Sequence, residues 1–294
     1  MFNLGCKGVL SSAIMLLAVS EAAGSQSLYF VEKGLVGIQG TSSGPIPDTY
    51  VGPYIFSATA PSPASVNASG LSPNSLTFVS ANSDYEFTDP LATKAALDGA
   101  FPNGNFTMSG GGFPTLSISI TGDLYPIVPD VTNGTWQNGV LLINSAQSYT
   151  LNLNTFTGYD TTGVGGVMSI QIQSLTTADN VNLSQKYATQ AFGNGTVVSS
   201  TPFTSYPIPA GTLQPGLVYE VYVEYYTLTT VNTSTVPGSY IVGAYENTLV
   251  AYIGTTSSPA VTGPTFAIEP TNQAVASGTI SAGSGERPQA SSIE

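Results

Sequence analysis

Histidine is missing from this chain and cysteine occurs once. Charge is scarce too, with five Lys and Arg against seventeen Asp and Glu in 294 residues, for a net charge of −12. Each shortage excludes a class of chemistry. Without imidazole there is no Ser-His-Asp or Cys-His catalysis and no histidine-based zinc site. The single cysteine, Cys6, cannot form an intrachain disulfide, so stability must come from core burial and strand pairing. So few cations cannot neutralise a row of phosphates, the interaction on which nucleic-acid affinity rests, and nucleic acid is not an expected partner. No Gly-rich loop leads into a Lys-Ser or Lys-Thr pair, which argues against a nucleoside triphosphate site.

What is present is apolar and strand-forming. The apolar fraction is 41%, with 16 Tyr and 12 Phe, enough buried surface to offset chain entropy despite the acidic balance. The polar remainder is largely Ser, Thr, Asn and Gly, which suits strands and turns and deprives helices of Lys, Glu and Arg. An all-β class follows.

The opening segment reads as an export signal. Lys7 precedes an apolar or small-residue run from Val9 to Val19, and Ser20-Glu21-Ala22 places small residues at the −3 and −1 positions, for cleavage after Ala22 or Gly24. The run is too short to span about 30 Å of hydrocarbon comfortably, so no membrane span is expected after cleavage. Cys6 lies before the apolar run, the wrong place for the lipid-bearing cysteine of a lipoprotein, and its removal leaves the mature chain without a thiol.

Short strands are expected at Tyr29–Ile38, Tyr54–Thr59, Leu76–Val79 and Tyr85–Phe87, set apart by Gly, Pro and Ser clusters such as Gly44-Pro45-Ile46-Pro47. One helix is predicted. Asp89 would cap it, Pro90 would occupy its first position, and Leu91, Ala95, Ala96 and Leu97 follow at helical spacing before Gly99 and Pro102 end it. Period-two alternation is clean at Leu116, Ile118 and Ile120, at Tyr149, Leu151 and Leu153, and at Met168, Ile170 and Ile172. The strongest strand runs from Leu217 to Tyr226. Leu217, Tyr219, Val221, Val223 and Tyr225 lie on one face, and Glu220, Tyr222, Glu224 and Tyr226 on the other. Tyr240–Tyr245 and Thr248–Ile253 close the compact part. Beyond Gly254 the composition turns to Ser, Pro, Thr and Gly, as in a linker and disordered tail.

Several motifs carry a likeness. Lys94-Ala95-Ala96-Leu97-Asp98-Gly99-Ala100-Phe101-Pro102-Asn103-Gly104, Gly122-Asp123-Leu124-Tyr125-Pro126, Asn133-Gly134-Thr135-Trp136 and Ile208-Pro209-Ala210-Gly211-Thr212-Leu213 together resemble a group of exported bacterial β-sandwich proteins with no assigned activity. The stretch from Gly263 to Gly278, with Phe266, Ile268 and Pro270, is similar to the opening strands of bacterial immunoglobulin-like modules. The likeness stops before the later strands and the core tryptophan of such a module.

With imidazole and thiol gone, carboxylates, hydroxyls and calcium are the remaining chemistry. A glycosidase or lyase would need two acids about 5–10 Å apart. Glu220 and Glu224 are the candidates, yet four residues along a strand separate them by roughly 13 Å, and a solvated acidic face is the plainer expectation. Asp84, Glu86 and Asp89, helped by Asn82 or backbone carbonyls, are a candidate calcium site, though they lack an Asp-x-Asp-x-Asp-Gly loop and ordinary surface acids with one helix cap are the plainer expectation. Trp136, Tyr222 and Tyr226 are candidate sugar platforms if exposed, and packing residues if not. Asn-x-Ser/Thr triplets at Asn67, Asn105, Asn133, Asn182, Asn194 and Asn232 are near chance frequency in such a composition.

The sequence therefore predicts a signal peptide over 1–24 and an antiparallel β-sandwich over 25–255, jelly-roll or immunoglobulin-like, with one short helix. Residues 256–294 should form a linker, a partial immunoglobulin-like strand and a tail. The expected role is non-catalytic, without a cofactor other than calcium, secreted or at the cell surface as an adhesion, matrix or structural module. A surface glycan or another extracellular protein is the expected partner.

Overall fold

Alternating side chains build nearly everything in this molecule. The computed structural model describes residues 27–256, apart from 48–52, 69, 81–83, 160–163, 177–178 and 190–198. The predicted signal peptide, the C-terminal immunoglobulin-like stretch and tail, Asn82 and Asn194 lie outside the described residues. In chain order the elements are β1 (Ser27–Gln39), β2 (Ile46–Pro47), β3 (Tyr54–Ala60), β4 (Ala64–Ala68), β5 (Asn74–Ser75), β6 (Thr77–Val79), β7 (Asp84–Leu91) and helix α1 (Lys94–Ala100). Then follow β8 (Gly104–Gly110), β9 (Phe113–Ile120), β10 (Thr135–Gln137), β11 (Val140–Asn144), β12 (Tyr149–Asn152) and β13 (Gly166–Ser174). The last are β14 (Asn182–Ala188), β15 (Ser205–Ile208), β16 (Val218–Asn232) and β17 (Ser239–Thr256). Among the described residues the fold is an all-β sandwich with one short helix and no barrel closure.

The main sheet has eleven strands, ordered β14-β13-β16-β17-β1-β3-β7-β6, with β2 beside β1 and the β10–β11 hairpin joined to β17. A four-stranded sheet, β5-β4-β8-β9, and a two-stranded one, β12-β15, complete the layers. Most pairings are antiparallel, as the alternation predicts, but two are not. β1 runs parallel to β17 from Ser27↔Ser239 to Gln39↔Ala251, and β11 runs parallel to the end of the same strand from Leu141↔Ile253 to Asn144↔Thr256. The first and last described strands thus meet in the middle of the main sheet. β17 is also longer than expected: the two segments read on either side of Glu246-Asn247 are one continuous strand.

One face of the main sheet carries two cores. Tyr219, Val221, Val223 and Tyr225 of β16 and Leu249, Ala251 and Ile253 of β17 pack with Leu151, Tyr206 and Ile208 of the two-stranded sheet. On the same face Tyr29, Val31, Phe56 and Ala58 meet Val66, Phe106, Met108, Leu116 and Ile118 of the four-stranded sheet, and Leu97 of α1 plugs the end. Each fully buried side chain of this size stabilises by about 1.5–3 kcal/mol. The two layers approach closely at Gly243, where a Cβ would lie 2.9 Å from the Ser119 carbonyl oxygen of β9. A bulge in β16 between Leu228 and Thr230 turns two hydroxyls onto that carbonyl: Thr229 Oγ1 and Thr230 Oγ1 donate to it at 2.7 and 2.8 Å.

The helix start differs from its sequence expectation. Asp89 and Pro90 belong to β7, paired with Phe56 and Ile55 of β3. Thr93 is the cap, its Oγ1 accepting from the Ala96 amide at 3.1 Å. Pro90 is tolerated in β7 because β6 pairs only with Asp84 to Glu86, so no partner strand awaits an amide at Pro90 on that side.

Candidate functional site

The second face of the main sheet collects the acids. On β16 the even positions Glu220, Tyr222, Glu224 and Tyr226 point to it, away from the cores, and strand register decides what they meet. Glu224 stands opposite Thr248 of β17 and Tyr226 opposite Glu246, so Glu224 and Glu246 are diagonal neighbours. On the far side of β17, Gly34 stands opposite Glu246 and Glu32 opposite Ala244, which makes Glu32 and Glu246 diagonal neighbours too. Gly34 leaves room for this: Glu246 Oε2 lies 3.1 Å from where a Cβ would sit. Three strands thus bring Glu224, Glu246 and Glu32 together, at 3%, 4% and 1% exposure.

The neighbours are mostly apolar. Phe30, Leu228, Val242 and Ala244 flank the cluster with Tyr226, and Val36, Ile55, Tyr222 and Val250 lie beside it. Ser169 Oγ donates to Glu224 Oε2 at 2.8 Å, and the Thr248 hydroxyl donates to Glu246. Glu32 lies against the Ser57 hydroxyl and Glu246, and the Tyr226 hydroxyl against Glu246, with contacts that fall short of complete hydrogen-bond geometry.

Burial is the largest cause pushing the Glu32 and Glu224 carboxyls well above the usual carboxylate range, with the Glu246 charge adding to both. Burial also raises Glu246, against hydrogen bonds led by that from Thr248. The Tyr226 phenol is pushed up by burial and by the three nearby carboxylates. Lys186, opposite Ser169 on β14, is pulled down to about 8 by burial, partly offset by Glu224. Two like charges at the diagonal spacing of roughly 7 Å repel by about 2 kcal/mol at an effective dielectric near 20, so full ionisation of the cluster is strongly disfavoured.

The residues singled out from sequence fall differently. Glu220 and Glu224 do share a face, but it is not the solvated acidic face expected. Glu220 is 6% exposed, accepting from Gln173 Nε2 at 3.2 Å and from the Tyr252 hydroxyl at 3.4 Å. Tyr222 and Tyr226 are 3% and 0% exposed, which closes both rings to a sugar; Tyr226 instead tilts against Phe30 with ring centroids 6.1 Å apart. Trp136 is half-buried on the β10–β11 hairpin, packed against the core, and its indole nitrogen is buried. Asp84 and Glu86 share one face of β7, Asp89 takes the opposite face, and Glu86 is buried, so the three do not converge on one ion. Among the described residues no group of acidic side chains is arranged to hold a metal.

Sequence reasoning missed Glu32 and Glu246. The available signal was an acid inside an apolar strand, Tyr29-Phe30-Val31-Glu32 and Ala244-Tyr245-Glu246, a placement that implies either a paired or a neutral carboxyl. The chain matches no protein-family model and no curated protein at a significant level.

Proposed function

We propose that this chain is an exported, non-catalytic β-sandwich that acts at the cell surface or in the extracellular matrix as an adhesion, matrix or structural module. The observation that carries the reading is the placement of its chemistry-bearing side chains. The acids and tyrosines most suited to grip or cleave a sugar, Glu220, Glu224, Tyr222 and Tyr226, are turned into a closed face and serve the packing of the sheet. Long continuous strands support it further: β16 spans 15 residues and β17 spans 18, hydrogen-bonded along nearly their whole length. Such a sheet resists unfolding without disulfides, which suits a chain with one cysteine. Partners would then meet the connecting loops and strand edges, where an extracellular protein or a surface glycan finds Ser, Thr and Asn in place of charge.

Cell fractionation combined with N-terminal sequencing of the recovered protein tests the export half of this reading. The expected result is recovery outside the cytoplasm with a first residue just after Ala22 or Gly24. Cytoplasmic recovery with Met1 or Phe2 still in place would overturn it.

A further inference from the structure

We propose that Glu32, Glu224 and Glu246 form a proton-dependent clamp across β1, β17 and β16, holding the second face of the main sheet closed while they carry protons and loosening it when they are forced to ionise. The geometry sets this up. Three carboxyls from three adjacent strands lie on one face, each at most 4% exposed, among Phe30, Val36, Leu228, Val242 and Val250. Glu32 and the wholly buried Tyr226 hydroxyl both stand within reach of the Glu246 carboxyl, short of the geometry of a complete hydrogen bond. A protonated carboxyl can donate to a neighbouring carboxylate or hydroxyl, whereas a charged one in this setting repels its neighbours and lacks water.

The charged groups that face the cluster do not offset it. β14 contributes Lys186, β16 adds Glu220 further along, and β7 adds Glu86, opposite Thr59 of β3. Lys33 of β1 points to the opposite face, where it pairs with Asp98. One cation therefore faces three clustered acids among the described residues.

The sign of the effect follows from proton counting. Between the usual carboxylate range and the raised values of Glu32, Glu224 and Glu246, the folded chain holds protons that the unfolded chain has released, so stability is fully present below that range and falls as pH rises through the raised values. Lys186 acts oppositely, but only from about 8 upward, toward its ordinary range.

The test is thermal unfolding of the full chain between about pH 4 and about pH 8, compared across E246Q, the triple variant E32Q/E224Q/E246Q and E220Q. The wild type should lose roughly 5 °C or more in Tm over that interval, E246Q should lose less, and the triple variant should be nearly flat. E220Q, on the same strand and face but outside the cluster, should keep the wild-type slope. If the triple variant does not fold, the wild-type and E246Q slopes decide. A wild-type Tm that stays constant or rises with pH, or glutamine variants that track the wild-type slope, would overturn the proposal.

Discussion

Lys33 shows how much a single residue does in a chain with so few cations. It is wholly buried on β1, and its Nζ reaches Asp98 of α1 and donates to Asn103 Oδ1 at 2.7 Å, tying the helix to the main sheet. Burial acts against the Asp98 carboxylate, yet the ammonium groups of Lys33 and Lys94 outweigh it and hold Asp98 below the usual range. That contribution is present above the ordinary carboxylate range and is lost as pH falls through the lowered value, so it acts on the acid side of the glutamate cluster's interval. Removing one partner of a buried pair commonly costs about 3–5 kcal/mol. Because Asp98 is about a third exposed and keeps Lys94, Lys33→Met should cost roughly 2 kcal/mol in urea unfolding. A loss below about 0.5 kcal/mol would mean that the pair does no structural work. Nothing in the local sequence marks Lys33 as buried, because its partners are far along the chain and become neighbours only in the folded sheet.

At the scale of elements, the period-two reading succeeds where one face is core and the other is wet. Leu116, Ile118 and Ile120 are buried while Ser117 is exposed, and Met168, Ile170 and Ile172 are buried while Ser169, Gln171 and Gln173 are less so. It fails on β16, where Glu and Tyr alternate with apolar residues and both faces are buried, since alternation reports two faces without saying whether the polar one meets water. The helix starts later than its local signal for a related reason. Asp89-Pro90 is a good local start signal, but pairing with β3 extends β7 through it, and the cap passes to Thr93. Thr93→Ala should therefore cost about 1 kcal/mol in denaturant unfolding, while Asp89→Ala should cost less and leave the helical signal unchanged. Equal losses in the two variants, or a larger loss for Asp89→Ala, would contradict the assignment.

At the scale of the whole molecule, the parallel pairing of β1 with β17 joins segments more than two hundred residues apart and gives the main sheet its centre. No local pattern announces such a pairing, although the fold class and most strands were legible. This pairing also creates the site, because Glu32 and Glu246 are neighbours only through it. Those acids are interior groups of a closed face and not the floor of an open cleft. Carbodiimide-driven amine labelling of carboxyls, read residue by residue in the native protein, tests this most directly, with Asp123 as the exposed reference at 42% side-chain exposure. Glu32, Glu224 and Glu246 should stay unlabelled until the protein unfolds while Asp123 reacts early. Labelling of Glu224 and Glu246 in the native protein at a rate matching Asp123 would contradict it.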